Sequence, residues 1–231
     1  MDLFHRAKEP ASRELTWIKP FDNRMDEITR LKEKSETCPK QMKKVFLSAW
    51  GELASQVKMH QKTAAAIVKS ELPLKVYYDV VLQTEIGNSN IDFLVIADEV
   101  ILVIMHRKRE HIEWDLYDTR FARLPSRTDE HSVEDASCLL ANFLHDEKVL
   151  GVKDLNRIVS VLVDDEAEEE DLPKPFERSD LYPDLPAPVK VHPDAMGRWI
   201  LANCEVSDPP FFNEKKWEKI RQILEMNMTP V

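Results

Sequence analysis

The chain has few cysteines, few glycines and no long hydrophobic run. Its three cysteines, Cys38, Cys138 and Cys204, lie far apart without CxxC spacing, which argues against a disulfide framework and a zinc site and fits a reducing cytoplasm. With only four glycines the chain has no Gly-rich phosphate loop, and no motif of a serine or cysteine nucleophile is present. No run of about 18 apolar residues occurs, so we expect neither export nor a membrane span.

Acidic residues outnumber basic ones, 42 against 32, and the formal net charge is -10. Such a molecule repels polyphosphate, so contact with DNA requires a local basic patch. The 231 residues, 43% of them hydrophobic, suffice for one full-sized domain with a buried core. We expect a loosely docked arm at residues 1–24, a main domain at 25–204 with its core at about 40–163, and a C-terminal helix within 205–231.

The succession of apolar patterns predicts an α/β fold. Apolar residues that recur at three and four positions after Pro39 indicate one or two helices ending before Pro73. Segments rich in β-branched, aromatic and aliphatic residues indicate buried strands at residues 75–83, 93–97, 100–104 and 157–163. A helix capped by Ser132 precedes the last of these strands and provides a crossover. We therefore expect a mixed β-sheet flanked by helices on both faces.

The remaining segments are predicted from turn-forming, charged and proline residues. We place turns at residues 87–89 and 98–99, a short strand at 111–115, a loop at 116–130, an edge strand at 188–191 and closing helices at 194–203 and 213–226. The acidic segment 164–171 is interpreted as a solvated loop.

Glu52 is one of two acidic candidates for a functional site. It lies in the helical segment at the border of the apolar face, so we expect its carboxylate to point toward the sheet. The neighbouring Gly51 is unfavourable within a helix by about 1 kcal/mol, which predicts a close contact there. The simpler interpretation is a surface glutamate beside a helix kink.

Asp92, at the start of a buried strand, is the second candidate. The simpler interpretation is that its carboxylate accepts hydrogen bonds from turn amides. If the runs at 93–97 and 100–104 form a hairpin, Asp92 and Met105 come near each other at the same open end. Along that strand Met105 and Arg107 project to one face, and His106 projects to the other.

Three short motifs share an order with one nuclease family. They are Gly51-Glu52 in a helix, Tyr78-Asp79 in a strand, and Ile91-Asp92-Phe93-Leu94-Val95-Ile96 in the next strand. In this order they resemble the NERD (nuclease-related) domain, with weaker similarity over residues 40–203. The resemblance implies a restriction-endonuclease-like core. In that core an aspartate and the glutamate of an ExK step hold Mg²⁺, a lysine assists the attacking water, and a helix glutamate supports the metal.

This sequence departs from the family at the ExK step. By the resemblance Asp92 and Glu52 are the metal-site residues, but Met105 stands in place of the glutamate and Arg107 in place of the lysine. Mg²⁺ requires oxygen ligands, and a thioether is a soft ligand. A guanidinium stays protonated, and loss of a positioned acid-base group lowers a rate by roughly 10²–10⁴-fold. We therefore expect no cofactor and no catalysis, and action through binding to nucleic acid or to a protein.

Two alternatives remain open. The first is an active Mg²⁺-dependent DNA endonuclease with a rearranged site, in which Glu52, Glu85, and Glu110 or Glu113 supply the missing carboxylate. This would restore the metal but not the lysine. The second is a purely structural interaction module, in which the acidic loop and the proline-rich segment matter more than the cleft.

The basic run that follows Met105 is the candidate for phosphate binding. Arg107, Lys108 and Arg109 would contact a nucleic-acid backbone, or they form a charged strand end that protects the sheet edge. Six further histidines show no ligand spacing: His5, His60, His111, His131, His145 and His192.

Overall fold

In a computed structural model of the chain, the described residues are 14–107, 111–114, 121–124, 130–167 and 178–230. The helices are α1 (Met25–Thr37), α2 (Lys40–Lys69), α3 (Glu130–Asp146), α4 (Met196–Asn203) and α5 (Glu214–Asn227), with a 3₁₀ helix at Val152–Arg157. The strands are β1 (Thr16–Lys19), β2 (Lys75–Thr84), β3 (Gly87–Ile96), β4 (Ile101–His106), β5 (His111–Trp114), β6 (Phe121–Leu124), β7 (Ile158–Val163), β8 (Val189–Val191) and β9 (Met228–Pro230).

Seven of these strands form one mixed sheet. Six follow the order β1-β2-β3-β4-β7-β8, and β9 pairs with β2 further along the edge that β1 occupies. The β2-β3 and β3-β4 pairs are antiparallel, whereas β7, reached through α3, is parallel to β4. The predicted α/β class, with a mixed sheet and a crossover through the helix near Ser132, is confirmed.

Different helices cover the two faces of the sheet. We call the face under α2 and α4 the α2 face; its core includes Ala64, Ile67, Tyr78, Phe93, Ile104, Trp199 and Ile200. We call the face under α3 and α5 the α3 face; its core includes Val80, Ile91, Met105, Leu140, Leu144, Trp217 and Ile220. The predicted placement of helices on both faces is thus confirmed. None of the helices that the structure describes combines the length and apolar character needed to cross a bilayer.

The N-terminal segment is more ordered than predicted. β1 pairs in parallel with β2, and Trp17 and Phe21 pack against the α2-face core. The prediction of a loosely docked arm is therefore wrong for residues 14–24. A four-residue strand has too few positions to show periodicity, so its pairing is decided by tertiary contacts.

Other boundaries also differ from the sequence predictions. The turn between β2 and β3 is at Glu85 and Ile86, because residues 87–89 belong to β3. β6 lies within the segment 116–130 that was predicted as a loop, and it pairs with β5. Ser132 lies inside α3, two residues after its first residue, so the prediction that it caps this helix is wrong.

Candidate functional site

A buried cluster of one carboxylate and two imidazoles lies between α2 and the β3-β4 hairpin. Asp92 of β3, His60 of α2 and His106 at the end of β4 are 6%, 1% and 0% exposed. One potential ligand atom from each residue lies within 4.8 Å of those of the other two. We call these three residues the His-Asp-His cluster.

The local sequence patterns explain why both histidines are buried on the α2 face. His60 belongs to the buried stripe of α2, between Val57 and Ala64, at helical spacing. His106 follows from the alternation of β4, in which Leu102 and Ile104 also face α2. The helix and the strand therefore bring two imidazoles together from distant parts of the chain.

The backbone of β2 is irregular at the level of Asp92. Asp79 has φ 51°, which is the left-handed region, and it lies between the register pairs Tyr78↔Phe93 and Val80↔Ile91. Before it Tyr78 packs on the α2 face, and after it Val80 packs on the α3 face. The usual alternation of a strand is thus interrupted here. Asp92 lies directly opposite this irregularity, and its carboxylate reaches the histidines of the α2 face.

Contacts with His106 of β4 hold the Asp92 carboxylate, which faces His60 of α2. Its Oδ2 accepts from the backbone N–H of His106 at 2.7 Å and lies 3.0 Å from His106 Nδ1. His60 Nε2 is 3.5 Å from the same oxygen, which is long for a well-formed hydrogen bond. On the outer side of the rings, His60 Nδ1 lies 3.0 Å from the Tyr78 hydroxyl, and His106 Nε2 lies 2.8 Å from Thr63 Oγ1.

The electrostatics of the cluster favour an ionised carboxylate. Burial alone would raise the pKa of Asp92, but the hydrogen bonding of His106 and the positive charge of both imidazoles outweigh burial and hold that pKa well below its usual range. Burial raises the pKa of the Tyr78 hydroxyl. Tyr78 therefore remains a neutral hydrogen-bond partner of His60.

Aromatic rings close the cluster on the side of the N-terminal segment. Phe21, between β1 and α1, packs on Tyr78 with ring centroids 4.8 Å apart, and Phe93 lies 5.7 Å from both imidazoles. Beyond Tyr78 is an open pocket of about 690 Å³ whose other lining residues carry both signs of charge: Lys19, Arg24, Arg30, Asp22, Asp26, Glu27 and Asp79. The Asp79 carboxylate pairs with Arg24, and its carbonyl accepts from Lys19.

Glu52 is not part of the cluster. It lies on α2 eight residues before His60, which is about 12 Å along a helix, and its carboxylate accepts a hydrogen bond from Ser48 at 3.1 Å. The predicted close contact at Gly51 is wrong, since a Cβ built on this glycine would meet nothing within 4 Å. Glu85 is exposed in the β2-β3 turn, and the strand from Gly87 separates it from Asp92.

Met105 and Arg107 also lie away from Asp92's carboxylate. Met105 is buried in the α3-face core, so the sheet separates its side chain from the cluster, and the expected pairing of Asp92 with Met105 is replaced by one with His106. The Arg107 guanidinium donates to Asp164 at 2.6 Å and lies 3.7 Å from Glu166. Asp164 is 1% exposed, so the acidic segment does not begin as a solvated loop.

Several predicted residues lie outside the described part of the chain. They are Lys108, Arg109 and Glu110, together with the side chain of Glu113. The basic run is therefore described only at Arg107.

Neither histidine of the cluster was predicted as a site residue. His60 shows no ligand spacing along the sequence, and His106 adjoins the basic run. The available signal was position, because each histidine occupies a site where the apolar pattern requires a buried residue. Which residues meet across a helix and a hairpin depends on tertiary packing, which spacing alone does not reveal.

No protein-family model, curated protein or solved structure matches this chain. Its function is therefore argued from the geometry of the site.

Proposed function

We propose that the chain is a nuclease-related protein of the NERD type, with a restriction-endonuclease-like core, that does not hydrolyse nucleic acid and acts in the cytoplasm by binding a protein partner. One observation carries the proposal. Asp92, the residue expected to hold Mg²⁺, is buried with its Oδ2 engaged by the backbone and imidazole of His106.

The surroundings of Asp92 do not fit Mg²⁺. That ion needs oxygen ligands in near-octahedral order and keeps several waters, whereas the groups that converge on Asp92 are two imidazoles. Within the described residues no second carboxylate joins the cluster. The donor set therefore lacks the oxygens that a hydrolytic magnesium centre requires.

The position expected to supply the catalytic lysine is also unsuited to proton transfer. Arg107 is held by Asp164, and this ion pair raises the pKa of a guanidinium that is already always charged. It also points to the end of β7 and not into the cluster. The described side chains therefore support neither a magnesium site nor an acid-base group for the hydrolysis that the resemblance implies.

Charge favours a protein over nucleic acid as the partner. The net charge is -10, and two acidic groups, Asp164 and Glu166, already surround Arg107. The negative charge attracts a partner whose contact region is basic, and it repels the phosphate backbone of a nucleic acid. The three free cysteines accord with a reducing compartment.

A plasmid-cleavage assay tests the loss of hydrolysis. Supercoiled plasmid is incubated with the wild type and with Asp92→Asn, with Mg²⁺ or Mn²⁺ added. We expect no nicking by either protein beyond a buffer control. Metal-dependent nicking by the wild type that disappears in Asp92→Asn would establish the alternative, an active endonuclease with a rearranged site.

Duplex binding at several salt concentrations tests the choice of partner. Arg107→Ala is compared with Arg157→Ala, a matched control, because Arg157 has similar exposure and is also paired to a carboxylate at 2.6 Å, that of Glu99. We expect weak binding that is the same for both variants. A selective loss of affinity and a shallower salt dependence in Arg107→Ala would mean that nucleic acid is the partner.

A further inference from the structure

We infer that the His-Asp-His cluster is a binding site for a divalent transition-metal ion, with Zn²⁺ the best match. The ligands are His60 Nε2, His106 Nδ1 and the Asp92 carboxylate. This inference does not depend on the proposed function, since it concerns a different ion and requires no reaction.

The chemistry of the donor set selects the class of ion. Two imidazole nitrogens and one carboxylate oxygen suit Zn²⁺ and neighbouring divalent ions such as Fe²⁺ and Co²⁺. Mg²⁺ and Ca²⁺ require a shell of oxygens instead. The ligands come from α2, β3 and β4, so the absence of clustered cysteines does not bear on this site.

Two of the three distances between ligand atoms are close to those that an ion would require. With bonds of about 2.0–2.1 Å, ligand atoms of a tetrahedral zinc site lie about 3.3 Å apart. Asp92 Oδ2 is 3.5 Å from His60 Nε2 and 3.0 Å from His106 Nδ1. The imidazole centroids are 4.3 Å apart, less than the roughly 5 Å that the same bond lengths give. Binding therefore separates the two rings by several tenths of an ångström.

The outer nitrogen of each imidazole has the partner that a metal ligand needs. When a histidine binds a metal through one nitrogen, the other usually donates a hydrogen bond that fixes the tautomer and the ring orientation. Here His60 Nδ1 faces the Tyr78 hydroxyl at 3.0 Å, and His106 Nε2 faces Thr63 Oγ1 at 2.8 Å. Both rings can thus direct an unprotonated nitrogen toward Asp92.

His60 Nε2 provides a second, independent observation. This atom is buried, and within the described part of the chain it has no hydrogen-bond partner. Buried polar atoms are rarely left unsatisfied. A cation between His60 Nε2 and the Asp92 carboxylate satisfies that nitrogen and compensates the buried negative charge.

The bound ion has a structural role. The cluster is enclosed by Phe21 and Tyr78, and it joins α2 to the two central strands β3 and β4. Three protein ligands leave one position, which a water molecule or the second oxygen of Asp92 can take. The ion cross-links the helix to the hairpin and raises the stability of this half of the domain.

The alternative state is a metal-free hydrogen-bond network in which a proton on an imidazole compensates Asp92. Metal content and a spectroscopic signature distinguish the two states. The protein is dialysed against EDTA, reloaded with ZnCl₂, passed through a desalting column and analysed for zinc. In parallel it is titrated with Co²⁺, whose visible absorption reports its coordination geometry.

We expect one Zn²⁺ per chain in the wild type, a visible Co²⁺ spectrum, and a higher melting temperature after loading. His60→Gln should weaken zinc binding at least tenfold, and Tyr78→Phe, which retains all three ligands, by about 10–100-fold. His131→Gln is the matched control, because its side chain is 72% exposed. It should bind as the wild type does.

Three results would each overturn the inference. They are substoichiometric zinc in the wild type, no visible Co²⁺ absorption, and equal zinc affinity in the wild type and His60→Gln. If His60→Gln does not fold, the wild-type stoichiometry and spectrum together with Tyr78→Phe still decide between the ion and the proton.

Discussion

Replacing Asp92 with alanine removes the acceptor that connects β3, β4 and α2. In the metal-free protein its Oδ2 accepts from His106 N at 2.7 Å, and the His106 ring, whose Nδ1 lies 3.0 Å away, can donate to the same oxygen. Asp92 is 6% exposed and His106 is 0% exposed, so water cannot readily replace the lost acceptor. The variant should therefore be less stable even when metal is removed with EDTA.

The magnitude follows from the two donors left behind. Each buried donor without an acceptor costs about 1–3 kcal/mol. The His106 ring can limit its share by carrying its proton on Nε2, toward Thr63, whereas the backbone N–H has no such choice. We expect the free energy of unfolding to fall by about 3 kcal/mol, which is at the lower end of the cost of breaking a buried charged pair. With a urea m-value of about 3 kcal/mol/M, the unfolding midpoint falls by about 1 M.

Urea unfolding followed by tryptophan fluorescence and circular dichroism measures this loss. The matched control is Asp194→Ala, because Asp194 also pairs with a cation, Lys62, at 2.7 Å, but both side chains are largely exposed. Solvent screening makes that pair contribute little, so its midpoint should stay near the wild-type value. If Asp92→Ala shifts the midpoint no more than Asp194→Ala does, the cluster does not stabilise the fold as argued.

The same carboxylate predicts a pH dependence with a defined sign. The folded-state pKa of Asp92 lies well below its usual value, and in the unfolded chain it is about 3.9. Its contribution is therefore fully present above the unfolded pKa and is lost as the pH falls toward the folded pKa. The stability difference between the wild type and Asp92→Asn should shrink on acidification below about pH 4.

Three further changes test other parts of the structure. Met105→Glu restores the acidic residue expected in an ExK step, but it places a carboxylate in the α3-face core, so we expect at least about 2 kcal/mol of destabilisation in urea unfolding and no nuclease activity. Burial raises the pKa of the Cys204 thiol to about 12, so alkylation followed by mass spectrometry should modify the half-buried Cys38 long before Cys204 in the native protein. Asn213→Ala removes the cap that accepts from Lys216 N at 3.1 Å and should lower stability by about 1 kcal/mol, measured by thermal unfolding.

Residue patterns predicted the long elements of this fold but only two of the five short strands that the structure describes, β5 and β8. β3, β4 and β7 contain apolar runs that suit strands covered on both faces, and α2 contains a long apolar stripe. β1, β6 and β9 have three or four residues each. At that length pairing with a neighbour, and not the intrinsic pattern, decides whether a strand forms.

The candidate site was predictable only in part. Asp92 was singled out by its place at the start of a buried strand and by the resemblance, whereas Met105 was expected beside it from hairpin geometry and Glu52 from the resemblance. Alternation along β4 places Met105 and His106 on opposite faces, and the left-handed Asp79 lets Asp92 face His106. Aspartate adopts the left-handed region more often than most residues, but an aspartate within a strand pattern does not by itself predict such an irregularity.

The failure of the cluster to fit Mg²⁺ and its proposed fit to Zn²⁺ have one physical cause. Asp92 is the residue that the resemblance predicts as a metal ligand, but its neighbours are nitrogens from His60 and His106. Replacing oxygens by imidazoles changes the preferred ion from a hard one to a borderline one. The two ions should therefore separate in one experiment on the EDTA-treated wild type, because Zn²⁺ should raise the melting temperature and Mg²⁺ at the same concentration should not. Equal responses to both ions would mean that binding occurs at exposed carboxylates and that the cluster selects neither.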